Sequence, residues 1–399
     1  MTTSEQMRHW SGPALFSYGF RPFFLFGALW AALAMALWIL MLSGALMLPI
    51  RLDPISWHAH EFLFGYLGAI IAGFLLTAVP NWTGRLPVVG WQLALLFTVW
   101  AMGRAAIALG ALLPAGLPEA VDLTFPVLLA GLILREIIAG KNWRNLPVLA
   151  LLAIFTAANL TFHIEAARGG FAAEGVGLRL GVASVLMMIS LIGGRIIPSF
   201  TRNWLVARGA KDLPVAPMQK FDKFVLLVTG AALLAWIAAP HSAATGAALI
   251  GMGALQLTRL ARWKAQRTLA EPLLWILHLA YLFVPLGALA QGAAILAPDA
   301  LLPAAAQHLW MAGAFALMTL AVMARATLGH TGQALTAGRG SVAIFVAILA
   351  AVFTRVAAGL APELASALHA ASALCWIAAF SGFALIYGRL LLMPKPARG

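Results

Sequence analysis

The chain is predicted to be an all-α, polytopic integral membrane protein: about twelve transmembrane helices in one bundle, with both termini cytoplasmic. Three observations predict this. Of its 399 residues, 62% are hydrophobic and only 10% charged, with a mean hydropathy of +0.93, beyond the range of soluble globular domains. Glycine, proline and charge clusters divide the chain into apolar runs of about 20 residues, the length a helix needs to cross a hydrocarbon core of roughly 30 Å. Most of the 26 Lys and Arg residues sit in short segments between those runs and fall on one side, as topogenic signals do.

The predicted spans are 20–43, 57–80, 88–110, 121–140, 145–166, 176–198, 221–239, 242–260, 272–296, 303–326, 340–360 and 365–391. Residues 1–19 form a short cytoplasmic segment within a single membrane domain, 1–399. They lack the order of a cleaved signal peptide, so the first span is expected to stay in the mature protein. The shortest connection is at Pro240 and His241, where the flanking runs read either as two helices or as one broken helix. The longest polar connection, 201–220, carries Arg202, Arg208, Lys211 and Lys220. With twelve spans, only Arg51, Arg104, Arg168, Arg179 and Arg355 fall on the outer side. No internal repeat stands out.

Composition also excludes several functions. The net charge of +13 is topogenic, which argues against nucleic-acid binding. Cys375 is the only cysteine, so one chain can build neither a disulfide framework nor a thiolate cluster. Haem attached through CxxCH is ruled out for the same reason.

Orientation turns scattered histidines into a pattern. His58, His60, His163, His241, His308 and His369 fall at outer helix ends, while His278 and His330 lie toward the cytoplasm and His9 is in the N-terminal tail. Ionisable groups in a span are functional candidates by default, and imidazole suits iron, copper and zinc. The richest stretch is 53–84, DPISWHAHEFLFGYLGAIIAGFLLTAVPNWTG. Asp53 is a predicted N-cap with Pro54 in the first helical position, which makes His58 and His60 helical. Residues two apart on a helix are separated by about 200°, so the two rings point to different faces.

His58 shares its face with Glu61 and with a small-residue stripe, Gly65, Ala69, Ala72 and Gly73. That stripe would let a flat macrocycle lie against the backbone, or would simply serve close helix packing. His58 is therefore the first choice for a haem axial ligand. His60, His163, His308 and His369 are the other candidate metal ligands at equal depth, Met311 one turn beyond His308 is a candidate thioether ligand, and Glu61 is the candidate proton relay. On the inner side, Arg195 and Arg325 offer guanidinium forks for haem propionates or another carboxylate, and His278 and His330 are further cofactor candidates. His308 and His330 are about 33 Å apart if the intervening segment is helical, so the inner groups cannot touch the outer metal and imply either a second cofactor or a proton or quinone entry route.

The blocks GFRPFFL (19–25), WHAHE (57–61), AGFLLTAVPNWTG (72–84), GGRIIPSFT (193–201) and RATLGHTG (325–332) together resemble the signature blocks of the NnrS family, bacterial inner-membrane proteins linked to nitric oxide and denitrification. The resemblance implies twelve helices, haem and copper, and a role in handling or resisting nitric oxide. Without CxxCH, the haem would be of the non-covalent b type, in one or two copies. Two readings follow. In one, the protein binds and reduces nitric oxide at a histidine-ligated periplasmic metal site, with electrons from a quinol or another donor. In the other, it is a non-catalytic haem or metal protein for nitric oxide sensing, metal trafficking or protection against nitrosative stress. A generic secondary transporter is a third, weaker idea.

Overall fold

The computed structural model describes residues 10–298 and 303–394; His9 lies outside them. Among the described residues, twelve long helices make up the fold: α1 Phe20–Leu42, α2 Pro54–Thr83, α3 Trp91–Ala108, α4 Leu117–Ala139, α5 Leu146–Ala167, α6 Val176–Val206, α7 Lys220–Ala238, α8 Ala243–Ala261, α9 Pro272–Leu296, α10 Pro303–Thr331, α11 Arg339–Ala358 and α12 Ala365–Leu392. Ten are long and apolar enough to cross a membrane. The other two, α4 and α8, carry Asp122 and Arg259 into the interior. The protein is thus a multi-pass membrane protein, as expected.

Local chemistry explains the boundaries. Asp53 caps α2 through its side chain, accepting from the amides of Ile55 at 3.0 Å and Ser56 at 2.9 Å, with Pro54 behind it. A reciprocal capping box of Gln219 and Asp222 opens α7, and Glu271 caps α9 from in front of Pro272. The run around Pro240 forms two helices, because α7 ends at Ala238 and the Thr245 hydroxyl ties back to the Ala239 carbonyl at 2.8 Å. In the polar connection after α6, Asp212 pairs with Lys264 and with Arg267 at 3.3 Å. The hydrogen bond from Lys264 holds the Asp212 carboxyl below its ordinary range.

Helices α2, α6 and α10 each contain a π-helical segment: Glu61–Tyr66, Ile189–Gly193 and Leu309–Ala316. There the backbone ladder shifts from i→i−4 to i→i−5 bonds, so some carbonyls need other partners.

Two compact units are distinguished, with boundaries falling inside α6, α10 and α12 and between α10 and α11. One comprises Met1–Gly181, Ala326–Ala334 and Phe380–Gly399; the other comprises Val182–Arg325 and Leu335–Ala379. In the first, glycines bring α1 against α2: a Cβ on Gly73 would lie 2.8 Å from the Phe24 ring, and one on Gly27 would lie 2.7 Å from Ile70. Such small residues replace the missing hydrophobic drive between helices in lipid with close packing. In the second, α8 and α9 cross at Gly246 and Gly292, where a Cβ on Gly292 would lie 2.6 Å from the Gly246 carbonyl.

Candidate metal centre

The first unit holds a buried polar cluster supplied by α1 to α5. Because α2 is capped at Asp53, its second turn presents His60 and Glu61, both 0% exposed. Glu61 Oε1 accepts from Arg104 Nη1 at 2.6 Å and faces His60 Nδ1 at 3.0 Å. Its Oε2 accepts from the Trp30 indole at 2.8 Å. Arg104, on α3, gives its other arm, Nη2, to Asp122 Oδ1 on α4. Asp122 Oδ2 accepts from Asn159 Nδ2 at 2.7 Å, and lies 3.0 Å from His163 Nε2 and 3.2 Å from His60 Nε2. Asn159 and His163, one turn apart on α5, thus meet the same oxygen.

Small residues make room for this cluster. A Cβ on Gly65 would lie 2.5 Å from Arg104 Nη1 and 2.8 Å from Glu61 Oε2, so only glycine leaves the guanidinium its place. Gly65 belongs to the π-helical segment, and its carbonyl accepts from the Trp100 indole at 3.0 Å. Across the α3–α4 contact, Gly103 lets the backbone of Asp122 approach; a Cβ there would lie 3.3 Å from the Asp122 Cα.

His60, Asp122 and His163 each offer one ligand atom, all within 4.8 Å of one another. Two features of the surroundings favour a cation between them. The first is hydrogen-bond polarity: Glu61 Oε1 lies at Nδ1 of His60, while Asn159 Oδ1 at 3.1 Å and Asp122 Oδ2 lie at Nε2. All three are acceptors, so a neutral imidazole with one N–H cannot satisfy both sides. The second is charge: Arg104 supplies one positive charge against the two negative charges of Glu61 and Asp122. Buried charge is costly unless balanced. An imidazolium donating from both nitrogens of His60 would answer both features, and so would a metal ion at Nε2, with Glu61 then accepting the Nδ1–H and fixing the tautomer, as carboxylates behind histidine ligands do. The donor set of two imidazoles and one carboxylate suits a transition metal with open positions. It fits a bare ion and not a macrocycle, because indole, guanidinium and amide groups pack around it.

Of the candidates from sequence, His60, His163 and Glu61 meet here. A helical wheel puts Glu61 on the face of His58, and both meet α1, Glu61 at Trp30 and His58 at Trp38, while the Glu61 carboxylate also reaches His60 and Arg104. His58 does point away from His60, stacking on Trp38 with ring centroids 4.6 Å apart and contacting Phe62 at 4.6 Å. The small-residue stripe below it is filled by protein, with Phe23 and Phe24 over Gly73 and Arg104 over Gly65. His330 also belongs to this unit, but stands against Tyr18 and Phe20, each at 5.4 Å. Phe20 begins α1, about 15 Å along the helix from Trp30.

His278, His308, His369, Arg195 and Arg325 belong to the second unit. His278 is buried, with Nε2 2.8 Å from the Thr201 hydroxyl. His308 directs Nδ1 to the Ala304 carbonyl at 2.6 Å. His369 on α12 and Arg195 on α6 are half-buried, and Arg325 lies over the Phe200 ring at 4.3 Å. This unit has its own buried network. Arg259 Nε donates to Asp222 at 2.8 Å, and its Nη1 donates to the Ser190 carbonyl at 2.9 Å and the Tyr281 hydroxyl at 3.0 Å. Tyr281 donates to Gln256 at 2.7 Å.

Sequence reasoning missed Arg104 and Asp122 as site residues. The available signal was an acid and a base of opposite sign inside two neighbouring spans, which in lipid should be partners.

The family model described as NnrS protein matches residues 14–395 of the chain. No curated protein matches it.

Proposed function

The chain belongs to the NnrS family, and on that premise we propose that His60, Asp122 and His163 hold a redox-active transition metal through which it binds and reduces nitric oxide. The observation that carries the metal is the convergence of one ligand atom each from His60, Asp122 and His163, all within 4.8 Å of one another, in a buried cluster with two carboxylates to one arginine. Iron and copper suit the donors, and both combine with nitric oxide; the nitric oxide itself comes from the family. When bound, the metal would supply a Lewis-acidic, redox-active centre.

The residues of the chain do the rest. Glu61 holds His60 in the ligating tautomer and is the group at the site able to pass on a proton. Arg104 ties Glu61 Oε1 to Asp122 Oδ1 and so leaves Asp122 Oδ2 turned to the ligand space, and the indoles of Trp30 and Trp100 fix Glu61 and the π-helical backbone. Reducing two nitric oxide molecules to nitrous oxide and water takes two electrons and two protons, the electrons coming from a quinol or another donor. The arginine bias supports a periplasmic position for this end of α2, in a bacterial inner membrane. Haem b enters this reading through the family resemblance alone, with ligands outside the cluster. Sensing, metal trafficking or protection against nitrosative stress would use the same metal without turnover.

The test is metal content of purified protein by elemental analysis, with optical and electron paramagnetic resonance spectra before and after nitric oxide. Wild type should carry or take up one iron or copper whose spectrum responds to nitric oxide. His163→Ala and Asp122→Asn should lose it. If wild type binds neither metal, or both variants keep it, the reading is wrong. Nitrous oxide formation separates turnover from binding alone.

A further inference from the structure

Beside the cluster, α2, α4 and α5 leave a small cavity, with room for a molecule not much larger than a water. Its walls are apolar, with Phe64, Phe125 and Phe155 the largest side chains and Gly68 setting the floor. Only two polar side chains line it, Asp122 and Asn159, both members of the cluster. Phe64 joins the two directly, since its ring packs on the His60 ring at 5.4 Å and on the Phe155 ring at 5.2 Å. At the other end, Ile71 is the lining residue that is not buried. It stands about 16 Å along α2 from His60, well inside an apolar span where the surroundings are acyl chains.

From this we infer that the cavity is the binding chamber and entry route for a small, uncharged, lipid-soluble molecule of diatomic size, which reaches the cluster from within the bilayer. The inference rests on the cluster being the metal site, and names the ligand class that the walls admit. A charged ligand would lose its hydration among phenyl rings with no counter-charge, since Arg104 is already committed to Glu61 and Asp122. Larger organic molecules would meet Phe64, Phe125 and Phe155. A neutral molecule of one or two heavy atoms loses little on leaving lipid for such walls, and arrives next to Asp122 and Asn159.

Gly68 sets the width. A Cβ there would meet Phe155 at 3.8 Å and Phe125 at 3.9 Å, ordinary contacts, so alanine fits and a larger side chain fills the chamber. Two measurements test the inference. In the first, protein without added metal is equilibrated with dissolved xenon and followed by xenon NMR, with a xenon-derivative structure to locate the atom. Wild type should bind xenon beside Gly68, Gly68→Ala more weakly and Gly68→Leu not at all. No xenon between α2, α4 and α5 in wild type, or xenon retained there in Gly68→Leu, overturns the chamber.

In the second, the association rate of nitric oxide with metal-loaded protein is measured. Gly68→Leu and the mouth variant Ile71→Trp should slow it by roughly tenfold or more, with metal stoichiometry unchanged. An unchanged rate in both variants overturns the route. Xenon binding in a protein that takes up no metal would refute the metal reading and leave the chamber standing. Gly68→Ala, which adds no clash, guards against reading a folding defect as a blocked chamber.

Discussion

Replacing Arg104 by methionine should be among the most damaging single changes in the first unit, and the structure says by how much. The guanidinium is 4% exposed and is shared by two buried carboxylates, Glu61 at 2.6 Å and Asp122 on its other arm. Methionine fills much of the volume but leaves two negative charges facing His60 and His163. Removing one partner of a buried pair costs about 3–5 kcal/mol, mostly through the uncompensated charge left behind. Arg104→Lys should fall between, since one ammonium cannot span both acids as the planar fork does.

Glu61→Gln removes one of those charges in advance, so the double variant Glu61→Gln/Arg104→Met should cost less than the sum of the single changes. The assay is thermal or detergent-titrated unfolding of purified protein, followed by tryptophan fluorescence. A bound metal adds a second signature: at one hundred times its Kd it should return about 2.7 kcal/mol, in Arg104→Met as in wild type, and nothing in Arg104→Met/His163→Ala. The electrostatic account is refuted if Arg104→Met is as stable as wild type, or if the double variant equals the sum of its parts.

Other changes probe separate links in the structure. Trp30→Phe keeps the ring and removes the indole donor to Glu61; unfolding should show a loss of about 1.5–3 kcal/mol, the usual range for a hydrogen bond to a charged group. At Gly177 a Cβ would lie 2.6 Å from the Phe162 Cα and 2.9 Å from the Ala158 carbonyl. Gly177→Ala must therefore push α6 from α5 next to His163, costing about 1–3 kcal/mol as overpacking does and weakening metal uptake; unchanged melting and uptake would contradict this contact. In the second unit, Arg259→Met should destabilise by about 3–5 kcal/mol without altering metal stoichiometry, a separation that elemental analysis of the folded fraction checks directly.

How far the sequence could be read depended on the kind of signal. The twelve helices were legible because bilayer thickness imposes a length, and the start of α2 because Asp53 and Pro54 have one natural place in a helix. Pooling histidines by predicted depth brought out His60 and His163, because both read as lying at outer ends of predicted spans. Arg104 and Asp122 stayed hidden for a physical reason: in a topogenic reading an arginine at a helix end is a charge to count, and partners on α3 and α4 are a tertiary fact. The π-helical segment at Glu61 was illegible as well. An amphipathic helix would show a slip in its apolar period, but α2 is apolar on nearly every face, so the slip leaves no trace in its hydropathy.

The two buried networks share a plan that separates scaffold from site. In each, an arginine lies over a glycine at a π-interrupted helix: Arg104 over Gly65, and Arg259 over Gly194, where a Cβ would lie 2.6 Å from the guanidinium carbon. Each pairs with an aspartate early in a neighbouring helix, Asp122 on α4 and Asp222 on α7. In each, an N–H donor also meets a carbonyl of the π-helical segment, from Trp100 to Gly65 and from Arg259 to Ser190. What differs is the balance of charge. Asp222 faces one arginine and the Gln219 amide, and Tyr281 and Gln256 complete the network with neutral groups. Asp122 shares its arginine with Glu61 and turns its second oxygen to two imidazoles. One network is electrically closed and has no call for an ion. The other has two carboxylates to one arginine at the point where three ligand atoms converge, which is why the proposed chemistry rests on His60, Asp122 and His163 and the Arg259 network is read as holding helices together.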